Sequence, residues 1–349
     1  MLPVQIGLPE YKIVVIGGGT GSHTVLTGLR HHAAQVSAVV SMMDSGGSSG
    51  RLRDEYGFLP PGDARQCLVA LAGSDETAAM LRALFTYRFH PRAGVTAGGA
   101  LDGHNLGNLF ISALTEITGS VESAYAWAGR LLGARGQVIP VTTSNVSLCA
   151  QLTDGHVLHG EASIDMRTEH REAAIDYVYL DHPAYPTQAA IDALSSADLV
   201  VIGPGDLYTS LIPNLLVDGI TEAIGCAANV VFVVNLMTKP GESDNFSAST
   251  FVERLLDYFT PASLDAVLVN TAVPNAKLLQ RYRLERAAPV EVDIEAINAL
   301  GIEVIARPLV SARHLVRHDP TAVADTLLAW LRSRGAREAR TLTSAITMN

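Results

Sequence analysis

The sequence predicts an α/β fold of the Rossmann-like, doubly wound kind: a mostly parallel sheet with helices on both faces and a β-hairpin insertion. Two recurring features and one interruption carry this prediction. Short runs rich in β-branched residues recur, at Lys12–Ile16, Val36–Val40, Gln137–Val141, Leu199–Ile202, Val230–Val234, Ala266–Val269 and Glu303–Ala306. Such continuous apolar strands are buried on both faces, as in a parallel sheet covered by helices. Each run leads into a polar or glycine-rich loop and then a helical pattern, the rhythm of a doubly wound sheet. The interruption is Ser147–Asp165, where an Asp154-Gly155 turn joins two alternating runs and predicts an antiparallel hairpin.

The 349 residues, 48% hydrophobic and 17% charged, suffice for one large domain with a substantial core. With a mean hydropathy of +0.22, the chain is also far from the composition of disordered proteins. A single domain over residues 1–332 is expected, followed by a basic, flexible tail over residues 333–349 that contains Arg334, Arg337 and Arg340. The stretch His90–Gly103, rich in glycine and small residues, predicts a mobile loop. No apolar run reaches the ~18 residues needed to span a bilayer. Met1–Lys12 lacks a basic region followed by an apolar core, so no signal peptide is expected. Cys67, Cys149 and Cys226 lie far apart without CxxC spacing, which points to a reducing, cytoplasmic setting. The net charge of −10 argues against nucleic-acid binding, which needs clustered Lys and Arg.

Ligands of doubly wound sheets sit at the carboxyl ends of the strands, so the loops there are informative. After the first strand, Gly17-Gly18-Gly19-Thr20-Gly21-Ser22 leads into a helical run at Thr24–Arg30. Gly18, Gly19, Thr20 and Gly21 would let amides approach a phosphate at a helix N-terminus; the alternative is a bare tight turn. After the second strand comes Asp44-Ser45-Gly46-Gly47-Ser48-Ser49-Gly50-Arg51-Leu52-Arg53. Its amides, hydroxyls and guanidinium groups suit an anion cradle, with Asp44, Ser45, Gly47, Ser48, Ser49 and Arg51 as contacts. Asp63 and Gln66 have capping-box spacing, and Arg65 in that first turn suggests a nearby anion. His104, Asn105 and Asn108 precede an apolar run and read equally as a capped turn or as donors to phosphate or sugar. Beyond later strands, Gly203, Gly205 and Asn235 complete the set, and Thr142 and Asn270 also suit a polar uncharged ligand. No GxSxG elbow, P-loop or HExxH occurs, which argues against covalent hydrolases and Walker-type ATPases.

In order along the chain, Gly18-Gly19-Thr20-Gly21, Asp44 to Arg53, Pro61-Gly62-Asp63-x-Arg65, Gly103-His104-Asn105-x-Gly107-Asn108, Gly203-Pro204-Gly205 with Tyr208-Thr209-Ser210, and Asn235 to Glu242 resemble the YvcK group. This is the gluconeogenesis-factor branch of the CofD-like (2-phospho-L-lactate transferase) superfamily. The resemblance implies a cytoplasmic protein with a role in gluconeogenic growth and cell shape that binds UDP-sugars such as UDP-N-acetylglucosamine. It extends sugar-nucleotide recognition to Tyr282 and Arg317. CofD itself implies an alternative, a magnesium-dependent phospholactyl transfer from a guanosine nucleotide; an NAD-binding protein is a further one. The family's Asp-Asp-Gly-Gly is Asp44-Ser45-Gly46-Gly47 here, which weakens a metal-dependent transferase, although Asp44 and Asp63 remain a metal pair. The expectation is therefore a non-hydrolytic regulator, assembled as a homo-oligomer, with phosphates on Gly18–Gly21, Ser48, Ser49 and Arg51; any cofactor would be magnesium arriving with a nucleotide.

Overall fold

The computed structural model describes residues 11–32, 35–91, 99–260, 263–311 and 315–347. Half of the predicted mobile loop, residues 92–98, lies outside them. In chain order the first block is β1 (Lys12–Gly17), α1 (Gly19–Leu29), β2 (Gln35–Val40), α2 (Gly47–Tyr56), α3 (Gly62–Leu71), α4 (Glu76–Thr86), α5 (Leu106–Thr118), α6 (Val121–Leu131) and β3 (Gln137–Pro140). Then come β4 (Leu148–Leu152), β5 (Val157–His159), α7 (Glu161–Asp165) and β6 (Ile175–Leu180). The last block is α8 (Gln188–Ser195), β7 (Leu199–Ile202), a π-helical turn (Leu207–Leu211), α9 (Ile212–Leu215), α10 (Ile220–Gly225), β8 (Val230–Val233), α11 (Ala248–Leu256), β9 (Ala266–Asn270), α12 (Ala276–Leu284), α13 (Ile294–Ala299), β10 (Glu303–Arg307), β11 (Val310–Ser311), β12 (Arg317–His318) and α14 (Pro320–Thr347).

The apolar runs become a seven-stranded sheet in the order β3-β2-β1-β7-β8-β9-β10, with every pairing parallel. All residues of β7 and β8 are buried, as continuous Leu/Val/Ile/Phe strands require when both faces are covered. The chain runs outward from β1 through β2 to β3, then restarts on the other side of β1 at β7. That reversal opens a crevice beyond the carboxyl ends of β1 and β7. Among the described residues no helix is long and apolar enough to cross a membrane.

The hairpin forms around Asp154-Gly155, with Gln151 opposite Val157. It ends at His159, however, and residues 161–165 are the short helix α7 rather than strand. β6 then pairs with the free edge of β4, so the insertion is a separate three-stranded antiparallel sheet. Apolar residues of that sheet, Leu148, Ala150 and Val178 among them, join the same hydrophobic cluster as the large sheet. Tyr208-Thr209-Ser210 lies in the π-helical turn, which continues as α9, with Pro213 in its first turn where a missing N–H costs nothing.

Candidate functional site

Two helices start earlier than their apolar pattern suggests, and both shifts reshape the predicted site. α1 begins at Gly19, so the glycines are its first turn. Its N-cap, Gly18, provides no side chain, and the Gly19 amide instead donates to the Asp63 carboxylate on α3. A Cβ on Gly19 would lie 2.7 Å from Asp63 Oδ1 and 2.6 Å from Gln66 Nε2; on Gly21 it would lie 1.7 Å from the Pro204 carbonyl oxygen. These glycines therefore serve close packing of α1 against α3 and the 203–205 turn. Asp63 caps α1 from outside, and the capping-box reading of Asp63 with Gln66 does not hold, because Pro61 is the N-cap of α3 and no side chain caps it. Gln66 instead accepts from the Thr20 hydroxyl at 3.0 Å.

α2 likewise begins at Gly47, which places Ser48, Ser49 and Arg51 on a helix rather than in a loop. Ser48 and Ser49 are buried, and their hydroxyls meet His104 Nδ1 at 3.2 Å and Asn108 Nδ2 at 3.3 Å. Asn105 caps α5 by accepting from the Asn108 amide. Arg65 donates to Asn108 Oδ1 at 2.8 Å and to the Phe85 carbonyl, and burial lowers its pKa to about 10. Ser45 Oγ accepts from the Ala162 amide at 2.9 Å, which fastens α7 beside the 44–46 turn. Gly47 is free of contacts, at a positive φ of 48°. Ser48, Ser49, Arg51, Arg65, His104, Asn105 and Asn108, expected to meet phosphate, stand outside the lining of the crevice at the β1/β7 reversal; their hydrogen bonds tie α2, α3 and α5 together, and Arg51 and His104 line a second cavity. Thr142 and Asn270 are spent similarly, on the Tyr185 carbonyl and the Leu309 amide.

The Arg51 guanidinium donates to the Asp102 carbonyl at 2.7 Å, and Arg51 is not among the residues that line the crevice. We expect Arg51→Ala to cost about 1.5–3 kcal/mol of stability, the range for a hydrogen bond to a charged group. Nucleotide affinity, read by calorimetry, should stay within about twofold; a tenfold loss would return the arginine to the site.

The crevice at the β1/β7 reversal is a cavity of about 470 Å³. Of the predicted residues it is lined by Gly19, Thr20, Gly21, Asp44, Asp63, Gly205, Asn235, Tyr282 and Arg317. Gly18 and Gly203 stand behind this wall. Asn235 Oδ1 accepts from the Gly205 amide at 3.0 Å, which shapes the 203–205 turn. The Tyr282 hydroxyl accepts from the Val316 amide at 3.1 Å and so sets the position of Arg317 on β12. Next to it His318 is buried, and burial lowers its pKa to about 4, leaving a neutral imidazole.

The cavity's chief property was not legible in the motifs: its lining is acidic. Asp44, Asp63, Glu161, Asp165 and Asp206 face it, against the guanidinium of Arg317 alone among the described residues. Burial, then the Asp44 charge, raises Asp63 to about 7. Burial, then Asp44 and Asp165, raises Glu161 to about 8. Asp44 is raised by burial as well, although the Gly46 amide and Ser49 oppose this. Glu161 and Asp165 lie on α7, inside the segment read as a hairpin. The signal that would have found them is Ile164, an apolar residue at helical rather than alternating spacing from Glu161. Asp165 and Asp206 already hold a cation, because Lys239 Nζ lies between them and Glu242, at 2.6 Å from Asp206 and 3.0 Å from Glu242. Asp44, Asp63 and Glu161 have no such partner among the described residues.

Those raised carboxyls set a pH dependence. Asp63, Glu161 and Glu242, at about 7, 8 and 7 against ordinary values of 3.8, 4.5 and 4.5, hold more protons folded than unfolded across this window. Their contribution is full below the unfolded values and is lost as pH rises through the folded ones. In chelator, thermal stability should therefore fall between pH 5.5 and 8.5, and millimolar Mg²⁺ should restore it at pH 8.5. A flat or rising profile would contradict this electrostatic description.

The sequence model of the family 2-phospho-L-lactate transferase CofD matches residues 13–310. The putative gluconeogenesis factor of Nostoc sp. (strain PCC 7120) is 44% identical over 323 residues, covering 91% of this chain and 68% of that protein. The gluconeogenesis factor of Bacillus subtilis (strain 168) is 38% identical, covering 92% of this chain and 98% of that protein. Among solved structures, a UPF0052 family member from Bacillus halodurans superposes with a TM-score of 0.85 at 36% identity, covering 92% of this chain and all of that one.

Proposed function

The chain belongs to the CofD family, and from that premise we propose that it is a gluconeogenesis factor of the YvcK kind, which binds a UDP-N-acetylglucosamine-like nucleotide sugar in its acidic crevice. One observation carries the reading. Three carboxylates from separate elements, Asp44 after β2, Asp63 on α3 and Glu161 on α7, line the crevice with the first turn of α1, without an ion-pair partner among the described residues. A diphosphate alone would be repelled by this lining. Its divalent metal complex would not be: Mg²⁺ takes one or two carboxylates plus phosphate oxygens, and this lining offers such carboxylates.

When bound, Mg²⁺ would neutralise the diphosphate and orient it. The chain's own residues account for the rest. First-turn amides of α1 aim positive charge at the crevice. Arg317, positioned through Tyr282, offers a bidentate fork to the ligand's anionic end. Asp63 keeps α1 in register by accepting from Gly19. Binding without turnover would make the protein a sensor of envelope-precursor supply, in line with a role in gluconeogenic growth and cell shape and with a place in the cytoplasm.

A second reading has specific support: the matched family is described as a transferase, and the same carboxylates would serve a magnesium-bound guanosine nucleotide. Calorimetry with UDP-N-acetylglucosamine, GDP and NAD, each with Mg²⁺, separates the readings. Preference for the UDP-sugar without turnover supports the regulator. Preference for GDP with consumption of a deazaflavin acceptor replaces it with the transferase. Preference for NAD defeats both.

Homo-oligomer assembly belongs to the same proposal. Met80 and Leu84 on α4, Phe110 and Ile117 on α5, and Trp127 and Leu131 on α6 are large apolar side chains left exposed on three successive helices. Apolar patches of that kind mark interfaces, and light scattering reads the state directly.

A further inference from the structure

On the small sheet, away from the crevice, Asp154 and His156 occupy the β4–β5 turn, and His170 reaches them from the connection between α7 and β6. His170 Nδ1 lies 2.8 Å from Asp154 Oδ2. His156 Nδ1 lies 3.3 Å from Asp154 Oδ1. The two imidazoles face each other with centroids 3.6 Å apart and planes inclined by 35°. One donor atom from each of the three residues falls within 4.8 Å of the other two. We propose that Asp154, His156 and His170 form a transition-metal site, for Zn²⁺ or a similar divalent ion, with its fourth position open to solvent.

The donor chemistry chooses the metal. Two imidazoles and a carboxylate suit Zn²⁺, whereas Mg²⁺ prefers oxygen ligands alone. Zn–N and Zn–O bonds of about 2.0–2.1 Å in a tetrahedron put neighbouring donors about 3.4 Å apart; the 2.8 and 3.3 Å separations here need little adjustment. An ion-pair role explains the arrangement less well. Surface pairs of this exposure stabilise little, yet His170 holds a left-handed backbone with φ of 52°, which a side chain other than glycine adopts at a cost. Stacked imidazoles also repel if both are protonated. A metal keeps both neutral and gives the strained backbone a purpose. Solvent reaches all three side chains, so entry needs no opening.

Bound metal would clip the β4–β5 turn to the 166–174 connection. That connection begins directly after α7 and is anchored by Arg167, which donates to the Ala173 and Gly241 carbonyls. The clip would thereby brace the small sheet that carries Glu161 into the crevice. The proposal does not depend on what the crevice binds.

The test is a Zn²⁺ titration of the chelator-stripped full chain against a chromophoric competitor. Wild type should take up one Zn²⁺ with a Kd of micromolar order or tighter, with Co²⁺ giving the intense visible bands of a four-coordinate site. Asp154→Asn, His156→Ala and His170→Ala should each weaken Zn²⁺ at least tenfold and abolish those bands, with circular dichroism unchanged. Asp63→Asn, which alters the crevice, should leave Zn²⁺ affinity as in wild type. No uptake by the wild type, or uptake that only Asp63→Asn reduces, would overturn the site.

Discussion

Gly21→Ala should be the most damaging single methyl in the molecule. The added Cβ would sit 1.7 Å from the Pro204 carbonyl oxygen, 2.5 Å from its carbon and 3.1 Å from Gly205 Cα, all backbone atoms that no rotamer change can move. α1 cannot retreat. Its N-terminus is tied to Asp63, and further along Gly28 is pressed to within 2.1 Å, on the same measure, of the Pro320 carbonyl at the start of α14. Alanine gains about 1 kcal/mol of helix propensity over glycine, but a clash of this depth exceeds the usual 1–3 kcal/mol of overpacking. We expect a loss of about 3 kcal/mol or more, with affinity for any crevice ligand lost as the 203–205 turn moves. Gly47→Ala is the control: nothing lies within 4 Å of its Cβ, so only the positive φ of 48° is penalised, by about 1 kcal/mol. Comparable denaturant midpoints for the two variants would show that α1 is not wedged.

Lys239→Met should have the next largest effect, because it removes the cation that three carboxylates share. The Glu242 side chain is 2% exposed and receives the Tyr208 and Thr209 amides, whereas Asp165 and Asp206 are 30% and 40% exposed. Removing one member of a buried pair costs about 3–5 kcal/mol; the solvent around both aspartates brings the expectation to about 3 kcal/mol. The sign of the pH dependence follows from Glu242, whose carboxyl burial already raises to about 7. Without Lys239 it is raised further, so the defect should be smallest near pH 5.5, where Glu242 is protonated, and largest above pH 8. Lys239→Met with Glu242→Gln should recover part of the loss by removing the stranded charge. A defect independent of pH, with no recovery in the double variant, would mean that the lysine acts through packing alone.

The contrast between fold and site is instructive about what a sequence displays. All seven strands of the main sheet coincide with the apolar runs to within a residue or two, because the inner strands, buried on both faces, must be continuously apolar. The motif residues at the β1/β7 reversal also reach the crevice. Ser48, Ser49, Arg51, Arg65, His104 and Asn108 do not line it, because a donor-rich motif looks the same whether it serves a ligand or a buried network, and for Ser48, Ser49 and Arg51 the helix start at Gly47 decides which way the side chain turns. Glu161 was hidden for a different reason. It arrives on α7, between β5 and β6 and more than a hundred residues after Asp44, and proximity of that kind leaves no local pattern. With Ser45 where the family usually has aspartate, Glu161 brings a carboxylate to the same turn through its contact with the Ser45 amide at 3.3 Å.

The central claim, that the crevice holds a nucleotide sugar through a divalent cation rather than through the Ser48–Arg51 segment, is tested most directly by titrating UDP-N-acetylglucosamine calorimetrically into wild type and Asp63→Asn, in chelator and in Mg²⁺. The account predicts that the wild type binds at least tenfold more tightly with Mg²⁺, that Asp63→Asn loses most of this gain, and that the remaining affinity is similar in the two proteins. Equally tight binding by the wild type in chelator and in Mg²⁺ would contradict it.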